Sequence, residues 1–227
     1  MPYASTITFT LDTICPWTYL AFLRLTHALE AFRSSNPDAA ATFTLQIAPY
    51  QLYPDFSTEG VDKHKWYRDE KYNGSEQKMK VYSDYMKELG QAEGIDFDFT
   101  GEIANTLHAH RIVQYLQAEK SPEHGLAALT SLYAQYFTER AHPSCPQTLT
   151  KACLAAGLTQ AEVHELIGDE RKYLMETKAA AREQAGNGVD SVPHVVFEGR
   201  KRDFTVVGAK SVEEYGRVLE GVVKEAS

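Results

Sequence analysis

The chain has 227 residues, of which 43% are hydrophobic and 24% charged, with a formal net charge of −8. That is the composition of an ordinary globular protein with enough chain for a real core, and its acidity argues against nucleic acid or an anionic membrane as the main partner. No basic stretch leads into an apolar one at the start, and no apolar run approaches the ~18 residues of a membrane span, so the expected location is cytoplasmic. Three cysteines, an odd number for a reducing compartment, do not read as a disulfide framework. Asn73-Gly74-Ser75 matches a glycosylation sequon and, without a secretory signal, reads as chance.

Residues 6–11 alternate and are rich in Ile, Thr and Phe, which predicts a strand. Cys15 follows, then Pro16 at the first helical position, where the N–H it lacks had no partner anyway. Tyr19, Leu20, Leu23, Leu25, Ala28 and Phe32 recur at near-helical spacing until Ser34-Ser35-Asn36-Pro37 stops the helix. A second alternating strand is predicted over 42–48, which makes a parallel βαβ unit. The next stretch, residues 60–185, reads as almost wholly helical, with helices over 63–89, 103–117, 123–138, 146–156 and 160–184. Thr159 and Glu162 fit a capping box at the last of these. Strands return at 192–197 and 204–207 around the turn Glu198-Gly199-Arg200, and a helix over 211–224 carries Val212, Tyr215, Val218, Leu219 and Val222 on one face. The expected architecture is one α/β domain, residues 1–55 and 187–227, split by a helical insertion over 60–185.

Cys15 stands where strand turns into helix, beside unpaired backbone N–H groups at the positive end of the helix dipole, so its pKa is expected to fall. Three residues on, where a dithiol site carries its second cysteine, stands Thr18. A hydroxyl does not exchange with a disulfide, but it can hydrogen-bond to the Cys15 sulfur and steady a thiolate. Three chemistries follow: exchange with a mixed disulfide, completed by an outside thiol; reversible addition to an electrophilic carbon; or a relic thiol on a binding domain. Cys145 falls in an exposed loop entering a helix, and Cys153 reads as a small buried helical residue. Trp17 covers the thiol or lines a pocket. His108 and His110 diverge on a helix, so no metal site is expected, and His110 with Arg111 reads as holding its helix in place. His194, directly after Pro193, either hydrogen-bonds near the thiol or accepts a proton there, or points away from it by strand alternation. Trp66, Tyr67, Tyr72, Tyr82 and Tyr85 line an aromatic pocket or serve as packing, the second being favoured.

Asp12-Thr13-Ile14-Cys15-Pro16-Trp17, Asn105-Thr106 with Ala109-His110-Arg111, and Gly188-Val189-x-x-Val192-Pro193 resemble the DsbA superfamily, most closely its FrnE-like branch. More distantly the chain resembles kappa-class glutathione transferases and 2-hydroxychromene-2-carboxylate isomerases. The resemblance implies a thioredoxin fold (βαβ…ββα) with a large helical insertion. It also implies a cis Pro193 facing Cys15, with the Val192 backbone pairing with a bound thiol compound and Asn105 turned to the site. Pro16 and Trp17 complete the expected binding surface. Where kappa-class relatives carry a Ser-Asp pair at the last helix, this chain reads Gly208-Ala209-Lys210-Ser211, which removes the acid that meets the glutathione amine. The implied function is thiol-disulfide oxidoreductase, glutathione-linked. The alternatives are a thiol- or glutathione-dependent isomerase or transferase of a small aromatic or polyketide-like molecule, and a non-catalytic binding protein. No tightly bound cofactor is expected, with glutathione as a candidate co-substrate. The expected partner is a small-molecule or thiol substrate, not nucleic acid or membrane, and a homodimer stays open.

Overall fold

The computed structural model describes residues 1–227. Strand β1 (Tyr3–Leu11) lies inside a mixed sheet of order β2-β1-β5-β6. It runs parallel to β2 (Ala41–Pro49) and antiparallel to β5 (His194–Phe197), which pairs antiparallel with β6 (Phe204–Val207). Alternation along β1 sends Ile7 and Phe9 to one face, where Phe9 stacks on Phe22 of α1 (Pro16–Ser35) at 6.3 Å between ring centroids. The last helix, α9 (Val212–Ala226), packs beside α1, and its N-cap Ser211 forms a capping box with Glu214. This is the expected βαβ…ββα frame.

The insertion opens with a two-residue strand β3 (Val61–Asp62), a single α-turn α2 (Lys63–Trp66) and a π-helical turn (Tyr67–Lys71). Then come α3 (Glu76–Ala92), strand β4 (Glu102–Ile103), which pairs with β3, and α4 (Leu107–Glu119). Helices α5 (Pro122–Phe137), α6 (Pro146–Ala155), α7 (Gln160–Gly168) and α8 (Leu174–Gly186) complete it. No helix is long and apolar enough to cross a membrane.

Three predicted helices are altered by their neighbours. The one over 63–89 breaks at Asn73 and Gly74, which adopt φ of 52° and 75°, before Ser75 caps α3. The one from 103 starts late because Ile103 joins β4 and Asn105 Oδ1 accepts from Leu107 N at 2.9 Å. The one over 160–184 divides after its predicted Thr159–Glu162 box, because Arg111 Nη1 donates to the carbonyls of Leu166, Asp169 and Lys172 at 3.0–3.1 Å. Those carbonyls turn toward one buried guanidinium, and the chain reverses through Tyr173 at φ 65°.

Frame and insertion share one core, a continuous cluster of 46 buried residues, so the insertion is not a tethered module. The free edge of β2 is covered by α4. Gln117 accepts from Ile47 N at 2.7 Å and donates to Ile47 O at 3.2 Å, and Gln114 donates to the same oxygen at 2.8 Å. Helix α8, inside the predicted insertion, lies against β2 and α4, and its Gln184 accepts from Thr10 of β1 at 3.0 Å. The last turns of the predicted insertion therefore pack on the sheet.

Candidate active site

Cys15 is the N-cap of α1, with extended backbone (φ −88°, ψ 116°) and only 5% exposure. Its sulfur lies 4.0 Å from the carbonyl oxygen of Val192, at the outer reach of a thiol hydrogen bond, and the Val192–Pro193 peptide is cis. The fold thus brings Cys15, Pro16, Val192 and Pro193 together from the two ends of the chain. Trp17, half-buried, points toward α3, its ring 6.2 Å from that of Tyr85.

The expected drop in the Cys15 pKa is reversed. Burial dominates and raises it; the backbone N–H of Thr18 pulls it down; the Asp12 carboxylate raises it again; the Trp17 N–H and, least, the Thr18 hydroxyl oppose. The thiol is pushed up to about 11. A helix N-terminus favours a thiolate, but taking sulfur out of water costs more here.

The Thr18 hydroxyl is the weakest influence on the sulfur, and most of its hydrogen bonding goes elsewhere. It lies 2.8 Å from the Asp12 carbonyl and 2.7 Å from the Cys15 carbonyl, and accepts from Tyr133 Oη at 2.9 Å. Thr18 thereby also ties the first turn of α1 to α5.

Asp12, fully buried, accepts from Leu52 N at 2.7 Å through Oδ2, while Oδ1 lies 3.3 Å from His110 Nε2. His110 therefore holds α4 against the β1–α1 turn. Asn105 is not aimed at the sulfur, contrary to expectation. It donates to Pro54 O at 2.7 Å and accepts from Gln51 Nε2 at 3.1 Å, which pins the segment leaving β2. His194 pairs with Thr10 and so shares its face, away from Phe9 and α1. All three cysteines are free; Cys145 Sγ meets Gln147 and Thr148 of its own helix, and Cys153 is buried.

The insertion, with Tyr53 from the segment after β2, supplies an aromatic wall. Tyr53 stands 4.7 Å from Trp66, Trp66 5.2 Å from Tyr67, and Tyr67 6.2 Å from Tyr82, measured between ring centroids. The hydroxyls of Tyr67, Tyr82, Tyr133 and Tyr136 are all close enough to feel charge on Cys15, and burial raises the pKa of each. Tyr67 rides on the π-helical turn, an irregularity that recurs at functional sites. Sequence reasoning missed Asp12, Tyr53, Tyr133 and Tyr136 as site residues. The signals were the place of Asp12 in the motif beside Cys15 and the helical spacing of Tyr133, Tyr136 and Phe137, the second indistinguishable from core packing.

The sequence model described as the DSBA-like thioredoxin domain matches residues 6–220. No curated protein sequence matches the chain. Among solved structures it is similar to a probable DsbA oxidoreductase from Streptomyces coelicolor, at 22% identity over 97% of this chain and 91% of that one, with a TM-score of 0.83. It is also similar to the cytosolic disulfide reductase DsbM from Pseudomonas aeruginosa, at 14% identity over 96% and 98% of the two chains, TM-score 0.65. A 2-hydroxychromene-2-carboxylate isomerase aligns at 16% identity over 96% and 94%, TM-score 0.58. These structural likenesses concern the fold. With nearly the whole chain matched by the family model, and with the cysteine-capped helix facing a cis-proline, the chain belongs to the DSBA-like thioredoxin domain family.

Proposed function

We propose that the chain is a single-thiol enzyme of the thiol-disulfide oxidoreductase kind, working in the cytoplasm, with Cys15 as the exchanging thiol. The observation that carries this is the placement of Cys15 Sγ opposite the Val192 carbonyl, with a hydroxyl-bearing Thr18 committed elsewhere. In the first step Cys15–SH meets a disulfide RS–SR′; the Cys15–SR bond forms, the RS–SR′ bond breaks, and the proton leaves on R′SH. Burial keeps the thiol protonated until a disulfide is aligned, and the Trp17 and Thr18 N–H groups take up charge as it develops on sulfur. Thr18 cannot attack the mixed disulfide, so an outside thiol R″SH regenerates Cys15–SH and releases R″S–SR. Glutathione is the simplest such co-substrate, its backbone pairing with Val192. Lys210, beside the N-terminus of α9, offers a positive charge to one of its carboxylates.

A second reading, a thiol-dependent isomerase or transferase, is favoured by the aromatic wall, which suits a small unsaturated molecule better than a peptide. Intact-mass measurement after treatment with oxidised glutathione separates the two. The oxidoreductase reading expects one glutathione adduct on Cys15, absent in Cys15→Ser and removed by added thiol; no adduct on Cys15 overturns it.

A further inference from the structure

One face of α3 has no use in the chemistry above. The helix docks through Met79, Met86 and Gly90, all buried, and turns Val81 (65% exposed) and Tyr85 (50% exposed) outward. The other large apolar side chains exposed to a similar degree stand singly on separate elements, where one alone needs no explanation. Val81 and Tyr85 lie one turn apart, and with Tyr72 and Tyr82 they line an apolar groove of about 630 Å³. The groove lies open to solvent along the helix, which suits a facing helix better than an enclosed small molecule. At its end the Tyr85 ring stands 6.2 Å from that of Trp17, so the face adjoins the first turn of α1.

The pattern along this face is self-complementary. Lys78, Val81, Tyr85 and Glu88, all exposed, fall at i, i+3, i+7 and i+10, the a/d spacing of a two-helix seam. In either direction from Ser83 the stripe carries an apolar residue two positions away and a charge five positions away, and the two charges are opposite. A two-fold axis beside Ser83 therefore sets two α3 helices antiparallel. Val81 then meets the partner's Tyr85, Lys78 meets the partner's Glu88, and each contact is made twice. Glu76, Lys80 and Asp84 of this helix already have ion partners in their own chain, whereas Lys78 and Glu88 have none. Lys87, also free, lies off the stripe.

We propose that α3 is a self-association face, on which a second copy of this chain docks antiparallel through Val81–Tyr85 and Lys78–Glu88 pairs. At a net charge of −8 two copies repel at long range, so the apolar pairs supply the affinity and the charged pairs fix the register. A single helix face is a small interface, so the dimer is weak and reversible. The proposal makes no use of Cys15 chemistry, and its failure leaves the exchange reading untouched.

Sedimentation velocity of the full chain tests it, in reducing buffer so that no intermolecular disulfide contributes. A monomer–dimer equilibrium is expected, with a Kd of about 10–100 μM. Lys78→Glu and Glu88→Lys each put like charges opposite one another, and Val81→Asp puts a charge into the apolar pair; each should weaken the dimer at least about tenfold. Mixing the Lys78→Glu and Glu88→Lys chains should restore association, because their like charges then meet opposite ones. These substitutions fall on exposed side chains, and recovery on mixing shows in addition that both variants are folded. A parent chain that stays monomeric up to about 200 μM, leaving the face to some other partner, overturns the proposal. Dimerisation unmoved by Val81→Asp, or charge variants that stay apart on mixing, overturns it as well.

Discussion

The two sides of the Cys15 site are built differently. The frame side offers backbone: the N–H groups at the start of α1 and the Val192 carbonyl before a cis-proline. The insertion side offers side chains: Tyr133 on Thr18, His110 on Asp12, and the tyrosine wall. Backbone groups recur wherever the chain takes this path, so they define what any thiol here can do. Side chains differ from one sequence to another, so they set how acidic the thiol is and what reaches it. Here burial wins on charge, since together with Asp12 it outweighs the helix N-terminus.

The sharpest way to break this comparison is at Asp12, which joins both sides. Asp12→Ala leaves Leu52 N and His110 unpaired in the interior and is expected to cost about 3–5 kcal/mol in urea unfolding. Asp12→Asn keeps the shape and drops the charge; the midpoint of Cys15 alkylation against pH should move down from about 11. A midpoint unmoved in that variant would mean that burial alone sets the thiol.

Thr18→Val tests the second link. It orphans the Tyr133 hydroxyl and is expected to lower stability by about 1–3 kcal/mol, read as a fall in urea midpoint at constant slope. Were Thr18 the thiolate's partner instead, the main effect would appear in the alkylation profile.

Lys63, under Tyr136, gives the insertion side a pH signature. Its folded pKa is depressed, chiefly by burial, to about 8 from an ordinary 10.5, so the unfolded chain holds that proton more tightly and stability rises as pH climbs past 8. Cys15 has the opposite sign. Its folded pKa of about 11 lies above the ordinary 9.0, so its contribution is lost between those values as pH rises. Lys63 alone contributes a gain of about 1 kcal/mol from pH 8 to 9. Cys15 and Cys153, the latter also pushed up by burial to about 12, partly offset it, and above pH 9 the two thiols turn the curve down. Lys63→Met should remove the gain, and Cys15→Ala should remove part of the fall.

The smallest effect is expected at the edge of β2, far from the thiol. Gln117→Ala strips the cover from Ile47 N, Gln114 still donating to Ile47 O, and should cost about 1 kcal/mol, with faster hydrogen exchange at Ile47 as its marker. An unchanged exchange rate there would show that α4 shields the edge by packing alone.

Much of the frame was legible because its signals are local. Alternation in β1 and β2 and Pro16 after Cys15 each depend on residues a few positions apart, as does the capping box at Thr159 in the insertion. Helix breaks in the insertion were not, because a partner distant in sequence makes them. Nothing in residues 160–184 announces that Arg111 will gather three of the carbonyls there and turn the chain. Asn105 was misplaced for the same reason, since its partners Gln51 and Pro54 come from the segment after β2.

By itself the sequence determined that one cysteine caps a helix and that its partner position holds a hydroxyl, which are facts of residue identity and short-range geometry. The Val-Pro pair facing that cysteine was implied by the family resemblance. Only the tertiary structure decided the sign of the Cys15 pKa shift and the service to which Thr18 is put. Burial, charge proximity and hydrogen-bond partnership are sums over neighbours, and those neighbours are chosen by packing across a hundred residues of chain.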